Sequence, residues 1–299
     1  MREMKWEGVI PAITTPFKKS LEVDHPALAR HVRWMLDSGC VGVVALGSLG
    51  EGATLGFDEK VAILKTCVKA AGRRAPVVAG ISSLSTAEAV RLAQAAEAAG
   101  CAGLMVLPPY VYASDWREMK AHVSAVIRAT GLSCMLYNNP VAYKTDFLPE
   151  QIRELARLHP NLHAVKESSG DVRRVVAIRA LLGQRLNIMV GVDDVIVESI
   201  YSGAVGWIAG LVNAFPVESV RLFDLARAGQ VAQADKLYRW FLPLLRMDTV
   251  VKFVQLIKLV QQEVGRGHER VRGPRLELAG EERKVALQTL REALKKRPA

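Results

Sequence analysis

A lysine ends one of the short apolar runs of this chain. The stretch NLHAVKESSGD spans residues 161–171, and Lys166 follows Ala164 and Val165. Lysine is rarely buried, so this one is either a surface charge paired with Glu167 or an amine held in an apolar site. Burial penalises the ammonium and lowers its pKa, and a neutral amine is a nucleophile towards carbonyl carbon. Lys166 is therefore a candidate Schiff-base lysine.

A tyrosine ends the apolar run that precedes it. Tyr137 closes the run SCMLY and stands before the turn NNP, in which Pro140 fits a rigid exit from a strand. If the two runs are neighbouring strands, this phenol could carry protons while the amine of Lys166 adds to a carbonyl. The alternative is a core tyrosine with its hydroxyl at the rim.

A glycine-rich turn, GSLGEGATL, follows the second apolar run. The backbone N–H groups around Gly47 and Leu49, with the hydroxyl of Ser48, would form a small nest for one carboxylate. The turn lacks the GK[ST] ending of a phosphate-binding loop. An ordinary tight turn explains these residues equally well.

The elements that must position these residues alternate between two patterns. Eight short apolar runs occur in the first 210 residues: GVIPAIT, VGVVAL, PVVAG, AGLMVL, SCMLY, HAVK, NIMVG and VGWIAG. Between them lie stretches such as HPALARHVRWMLDSG and STAEAVRLAQAAEAAG, where apolar residues recur at three- and four-residue intervals, as in a helix. Continuous apolar strands that alternate with helices predict a parallel sheet with a covered outer face.

One joint between helix and strand recurs three times. The segments DSGCVGVVALGS, AAGCAGLMVLPP and YSGAVGWIAGLV each place a glycine, Gly39, Gly100 or Gly203, where a helix ends and a strand begins. Eight such units predict an α/β fold, a closed (β/α)8 TIM barrel. A doubly wound open sheet is the alternative, but it usually carries GxGxxG after its first strand, where this chain has TTPFKKS.

Beyond Pro216 the pattern becomes purely helical. We therefore predict a barrel with the active site over residues 1–215, and a C-terminal helical region over 216–299 that packs on the barrel or on another subunit. In such a barrel the active site lies where the strands end. Besides the residues named above, that rule selects Tyr110 after the fourth run, Gly191 after the seventh and Ile208 in the eighth.

The composition is that of a globular protein without metal or membrane chemistry. Half of the 299 residues are apolar, and no apolar run reaches the roughly 20 residues of a membrane span. The N-terminus lacks the apolar segment of a signal peptide, so we expect a cytoplasmic protein. Cys40, Cys67, Cys101 and Cys134 form no CxxC pair, so neither a zinc site nor a disulfide framework is expected.

The net charge of +10 is concentrated in the helical tail. Residues 221–299 contain 17 Lys and Arg against 9 Asp and Glu, on amphipathic stretches such as ERKVALQTLREALKKR. A charge-rich helix face without interleaved aromatic residues is usually solvated, so no nucleic-acid partner is expected. An anionic substrate is compatible with a basic protein.

Four motifs in register carry a family resemblance. IPAITTPF, GSLGEGATL, YNNP and VKESSGD, in this order and near these spacings, resemble the dihydrodipicolinate synthase and N-acetylneuraminate lyase family of class I aldolases. The likeness covers the chain from about Gly8 to Asn213 and, more loosely, the tail.

The resemblance implies a (β/α)8 barrel enzyme without metal or organic cofactor. Lys166 would form an imine with pyruvate or another 2-oxo acid, Tyr137 would act as acid and base, and Ser48 would hold the substrate carboxylate and relay protons. Gly191 and Ile208 would contribute to the pocket through backbone groups. The resemblance also implies a homotetramer built as a dimer of dimers.

Two departures concern the substrate. Leu49 follows Ser48 where the family usually has a second hydroxyl residue, and Ala142 stands where dihydrodipicolinate synthases usually carry an arginine for the second substrate's carboxylate. Because a bidentate arginine grip is hard to replace, we do not expect a lysine-pathway synthase.

Three further departures concern contacts between subunits and regulation. Val111 stands in place of the tyrosine that reaches across a subunit interface, with Tyr110 or Tyr112 as substitutes. The polar residues that bind feedback lysine in the family are absent, and Phe57 and Lys60 stand near the positions where histidines are expected.

The leading hypothesis is a Schiff-base lyase or aldolase that acts on pyruvate or another 2-oxo acid. The alternatives are a dehydratase or deaminase of the same family, for example on a hydroxyproline-derived pyrroline carboxylate, and a barrel that binds a 2-oxo acid without turnover.

Overall fold

Eight parallel strands form the centre of the molecule. The computed structural model describes residues 4–110 and 112–298. The strands are β1 (Gly8–Val9), β2 (Val43–Ala45), β3 (Val77–Ile81), β4 (Gly103–Val106), β5 (Ser133–Asn138), β6 (Leu162–Glu167), β7 (Asn187–Val190) and β8 (Gly206–Trp207). Their order is β1-β8-β7-β6-β5-β4-β3-β2, and each pair is parallel. Each predicted run supplies one strand.

The chain between β1 and β2 closes the sheet. The amide of Val44 donates to the carbonyl of Pro11 (2.8 Å), and the amide of Ile13 donates to the carbonyl of Val44 (2.9 Å). β1 is shorter than its predicted run because Pro11 has no N–H to give to a ladder. The predicted (β/α)8 barrel is confirmed.

Helices surround the barrel on its outer face. They are α1 (His25–Asp37), α2 (Phe57–Ala71), α3 (Thr86–Ala98), α4 (Trp116–Arg128), α5 (Pro140–Tyr143), α6 (Pro149–Leu158), α7 (Arg173–Leu182), α8 (Ile196–Tyr201), α9 (Pro216–Arg227), α10 (Val231–Leu245), α11 (Phe253–Glu263) and α12 (Gly280–Lys295). Within the described ranges, no helix is long and apolar enough to cross a membrane. The two helices predicted from periodicity correspond to α1 and α3.

The recurring joint has the predicted geometry. Gly39, Gly100 and Gly203 follow α1, α3 and α8 with φ of 97°, 88° and 103°. A side chain is strained in this region of φ, so glycine allows the chain to leave each helix and enter the next strand.

The strands separate two apolar cores. Alternate residues point into the barrel, where Val78, Met105, Met135 and Met189 fill the interior. The other residues of each strand face the helices and belong to a larger outer core. All four cysteines are buried and free, as expected of small core residues. Among the described residues, no cluster of His, Cys, Asp or Glu is suited to hold a metal ion.

The C-terminal region also covers part of the barrel mouth. It contains α9 to α12, but residues 264–279 contain no helix, so the prediction of a purely helical tail is wrong there. This segment folds back onto the loops after β1 and β2. The guanidinium of Arg272 donates to the carbonyls of Leu21 (2.7 Å) and Thr54 (3.2 Å) in these loops, and to the carboxylate of Glu59 (2.6 Å) on α2.

Candidate active site

Tyr137 and Lys166 meet at the mouth of the barrel. They are direct partners in the register of β5 and β6, so both side chains point into the barrel. The Nζ atom of Lys166 lies 4.1 Å from the centroid of the Tyr137 ring. Lys166 is 6% exposed and Tyr137 is 5% exposed. Adjacent strand ends therefore place an amine and a phenol side by side in a buried site.

The environment of Lys166 increases the fraction of neutral amine over that of an ordinary lysine. Burial lowers its pKa from the ordinary 10.5 to about 8, and the negative charges of Asp248 and Asp193 partly oppose this effect. Glu167 is not its partner, because that carboxylate faces the other side of β6. There it accepts hydrogen bonds from Asn138 Nδ2 (3.1 Å) and from the amide of Ser169 (2.7 Å).

Gly191 makes room for the lysine. A Cβ atom at this position would lie 2.0 Å from the hydroxyl oxygen of Ser168 and 2.3 Å from Cε of Lys166. Its amide donates to the carbonyl of Glu167 (3.0 Å), so the amide is already engaged. Ser168 was not selected from the sequence, although it stands two residues after the lysine and so points to the same side. Among the described residues its buried hydroxyl makes no hydrogen bond of good geometry, but it lies near the Tyr137 phenol and acts against the effect of burial on the pKa of that phenol.

A buried carboxyl group, Asp193, lies after β7. It accepts hydrogen bonds from Trp207 Nε1 (2.9 Å) and from the amides of Gly210 (3.1 Å) and Leu211 (2.7 Å). These bonds fix the end of β8 against the end of β7. Burial raises the pKa of Asp193 to about 6.

A second carboxyl group reaches the mouth from the C-terminal region. Asp248 ends the 3₁₀ turn Arg246–Asp248 that follows α10. Its carboxylate packs on Gly210, where a Cβ atom would lie 2.0 Å from Oδ1. Burial, and then the charge of Asp193, raise the pKa of Asp248 well above its ordinary value. No sequence pattern indicates Asp248, because it lies in a helical region far along the chain from any strand end.

Ser48 forms a hydrogen bond with a tyrosine that no sequence pattern had indicated. Its hydroxyl forms a hydrogen bond with the hydroxyl of Tyr143 on α5. The Tyr143 ring packs edge-on against Tyr137, with 5.7 Å between centroids, and at the same separation from Tyr110. Burial raises the pKa of Tyr137 to about 12 and also raises the pKa values of Tyr143 and Tyr110.

The NNP turn positions two of these phenols. Asn139 caps α5, because its side-chain oxygen accepts from the amide of Ala142 (3.0 Å). Its side-chain nitrogen donates to the hydroxyl oxygen of Tyr137 (3.1 Å). One asparagine therefore places the helix that carries Tyr143 and holds the phenol of Tyr137.

The glycine-rich turn GSLGEGATL, which follows β2, is compact. The amide of Glu51 donates to the carbonyl of Ser48 (3.1 Å), and the amide of Gly52 donates to that of Gly47 (3.2 Å). The side chain of Leu49 points away from the mouth. It packs with residues of α11 and the following segment, which are Val254, Ile257 and Val271.

A buried ion pair ties this turn to α11. The ammonium of Lys258 lies 2.5 Å from a carboxylate oxygen of Glu51, and both side chains are at most 1% exposed. Lys258 also donates to the carbonyl of Arg270 (2.7 Å), and Glu51 accepts from the amide of Arg272 (2.9 Å). Because each charge has a partner and further hydrogen bonds, the pair fixes the backbone beside Ser48.

The other predicted positions lie at or near the mouth. Ile208 is buried inside the barrel, and its amide donates to the carbonyl of Val190 (2.8 Å). Tyr110 is half-buried beside Tyr143. Val111, to which a departure was assigned, lies outside the described residues.

Comparisons with known proteins agree on one family. A family model described as the dihydrodipicolinate synthetase family matches residues 5–293. The 4-hydroxy-tetrahydrodipicolinate synthase of Mesorhizobium japonicum is 34% identical over 267 residues, which cover 89% of this chain and 91% of that protein.

Solved structures of the same family are also similar to this chain. The chloride-inhibited dihydrodipicolinate synthase of Acinetobacter baumannii, complexed with pyruvate, superposes with a TM-score of 0.92 at 28% identity, over 97% of this chain and 99% of that one. YagE, a prophage protein of E. coli K12 from the dihydrodipicolinic acid synthase family, also in complex with pyruvate, gives 0.91 at 26% identity, with the same coverage of 97% and 99%.

Proposed function

The chain belongs to the dihydrodipicolinate synthetase family and is a lyase-type enzyme of that family, and we propose that it acts on pyruvate or another 2-oxo acid through an imine on Lys166. The observation that carries the proposal is the buried Lys166 amine, whose pKa is lowered to about 8, 4.1 Å from the ring centroid of Tyr137. The pyruvate complexes of two neighbouring structures support the substrate class.

The first step is attack of the neutral Lys166 amine on the 2-oxo carbon. The carbonyl π electrons move to oxygen, which takes the hydroxyl proton of Tyr137, and the resulting phenolate takes one proton from the new ammonium. This gives a carbinolamine. Tyr137 then protonates the hydroxyl group, and water leaves as the nitrogen lone pair forms the iminium. The phenolate can next accept a proton from the adjacent carbon, because the iminium withdraws the electrons of that bond.

The surrounding residues would bind the 2-oxo acid. The carboxylate would lie on the turn of Gly47 and Leu49, with the Ser48 hydroxyl as donor. Gly191, Ile208 and Tyr110 would line the rest of the pocket. The imine itself is the electron sink, so the chemistry needs no metal or organic cofactor.

The residue at position 142 favours one group of reactions within the family. Ala142 has no charged group with which to grip a second carboxylate. This favours cleavage, dehydration or deamination of a substrate with a single carboxylate, such as a pyrroline carboxylate, over condensation with a second substrate that carries its own carboxylate. A barrel that binds the 2-oxo acid without turnover is the remaining alternative.

Borohydride trapping tests the proposal. The protein is reduced in the presence of pyruvate and a panel of longer 2-oxo acids, and the adduct is located by intact mass and peptide mapping. The expected result is one adduct, on Lys166, which is lost in Lys166→Ala. Lys258 is the internal control, because burial also lowers its pKa to about 8 but it is paired with Glu51 away from the mouth.

The trapping experiment distinguishes a Schiff-base enzyme from a barrel that only binds the 2-oxo acid. The absence of any adduct on folded wild-type protein would refute the imine. Adduct on Lys166 without product from any panel member would support the binding-only barrel. We further propose a homotetramer, which light scattering would test as a mass four times the 32.7 kDa of one chain.

A further inference from the structure

We propose that Tyr143 is the positioning residue of Ser48, supplied by the same chain, so that the hydroxyl pair next to Tyr137 needs no residue of a second copy. The inference rests on the proposed function and adds a residue to it. It starts from the hydrogen bond between the Ser48 and Tyr143 hydroxyls and from the edge-on packing of Tyr143 on Tyr137.

Either hydroxyl can donate in this hydrogen bond, and a bound substrate would decide the direction. A carboxylate only accepts hydrogen bonds, so Ser48 has to direct its single proton at the substrate. Tyr143 then donates to Ser48, and burial, which raises the pKa of Tyr143, keeps that proton on the phenol. Without this donor, the Ser48 hydroxyl could rotate, because a serine hydroxyl orients to suit its partners.

Contacts within the chain hold Tyr143 in place from several sides. Asn139 caps the short helix α5, and Thr145 just beyond that helix donates to the carbonyl of Pro109 (3.0 Å), which ties this segment to the loop after β4. The ring of Tyr143 lies between those of Tyr137 and Tyr110, each 5.7 Å away. The hydroxyl thus reaches Ser48 without help from another subunit.

Tyr143→Phe tests whether Tyr143 positions Ser48, because phenylalanine keeps the ring contacts and removes the hydroxyl. We expect the borohydride adduct on Lys166 to persist and kcat to fall by about 100-fold, the scale of a misplaced reacting group. Ser48→Ala should give a similar loss. Because the two hydroxyls act as a unit, the double variant should lose no more than either single variant. Tyr201→Phe is the control, since Tyr201 is 48% exposed on α8.

A mixing experiment tests whether the contact lies within one chain. Lys166→Ala and Tyr143→Phe proteins are unfolded together, refolded and assayed. If each site takes both residues from one chain, the mixture is no more active than the two variants assayed apart. If the tyrosine comes from a partner, mixed oligomers contain a complete site, and recovered activity would overturn the inference.

The failure of this inference differs from the failure of the proposed function. Wild-type protein that forms no adduct overturns the proposed function and this inference with it. Wild-type protein that forms the adduct and turns over, with a Tyr143→Phe variant of unchanged kcat or with independent losses in the double variant, overturns this inference alone.

Discussion

The burial of Lys166 predicts how the proposed imine formation should depend on pH. The lowering of its pKa from 10.5 to about 8 corresponds to about 3 kcal/mol against the charged form. At neutral pH about one-tenth of the amine would be neutral, against about one part in 3,000 for an ordinary lysine, a gain of about 300-fold in nucleophile. The rate of imine formation should therefore rise about tenfold per pH unit below pH 8 and become constant above it.

The substitution Asp248→Asn tests whether nearby charges influence the pKa of Lys166. The negative charge of Asp248 raises the pKa of Lys166, so its removal should lower that pKa further. The midpoint of the rate profile should then move to lower pH, and the rate at neutral pH should increase. Asp37→Asn is the control, because Asp37 forms an exposed pair with Arg74 on the outer surface.

The assay is a quenched-flow measurement of the pyruvate adduct on Lys166 from about pH 6 to about pH 10, with borohydride as the quench and intact mass as the readout. A wild-type rate that still rises about tenfold per pH unit between about pH 8 and about pH 10, as for an ordinary lysine, would refute the burial argument. A midpoint that moves to higher pH in Asp248→Asn would refute the assigned direction of the electrostatic effect.

Three other changes have defined outcomes. Gly191→Ala places Cβ 2.3 Å from Cε of Lys166, so adduct formation should fall by about 100-fold while circular dichroism is unchanged. Gly131→Ala, whose Cβ would have its nearest neighbour at 3.5 Å, should leave adduct formation intact. Lys258→Met leaves the Glu51 charge buried without its partner, so urea denaturation should show a loss of about 3 kcal/mol or more, and an unchanged midpoint would contradict this. Asn139→Ala removes a helix cap and a hydrogen-bond donor to the Tyr137 hydroxyl, so kcat should fall by about tenfold while the free energy of unfolding changes by about 1 kcal/mol. An unchanged kcat would show that Asn139 has no part in the reaction.

The central residues were accessible from local patterns. Lys166, Tyr137 and Ser48 each follow an apolar run, and in a parallel barrel the ends of all strands meet at one mouth. Once eight runs were recognised, this rule was enough to predict that these residues are neighbours. The register of β5 and β6 is consistent with the prediction for Tyr137 and Lys166.

The residues that were missed depend on contacts that no local pattern encodes. Tyr143 stands on a single helical turn, where spacing from a strand gives no information about where a side chain points. Asp248 lies in a helical region and reaches the mouth only because α10 and α11 fold over it. Ser168 and Asp193 also follow the ends of strands, so the same rule could have selected them. They were not selected because the proposed chemistry did not require them.

The sequence by itself determined the architecture, because alternating apolar runs and amphipathic helices with glycine joints can bury their apolar faces together in few ways. It also determined which residues stand at strand ends. Only the tertiary structure decided that Lys166 is buried, that Tyr143 holds Ser48 and that the C-terminal region brings Asp248 to the mouth. The physical reason is that burial and electrostatic fields sum over residues far apart in the chain, so a lowered lysine pKa is a property of the assembled barrel rather than of any segment.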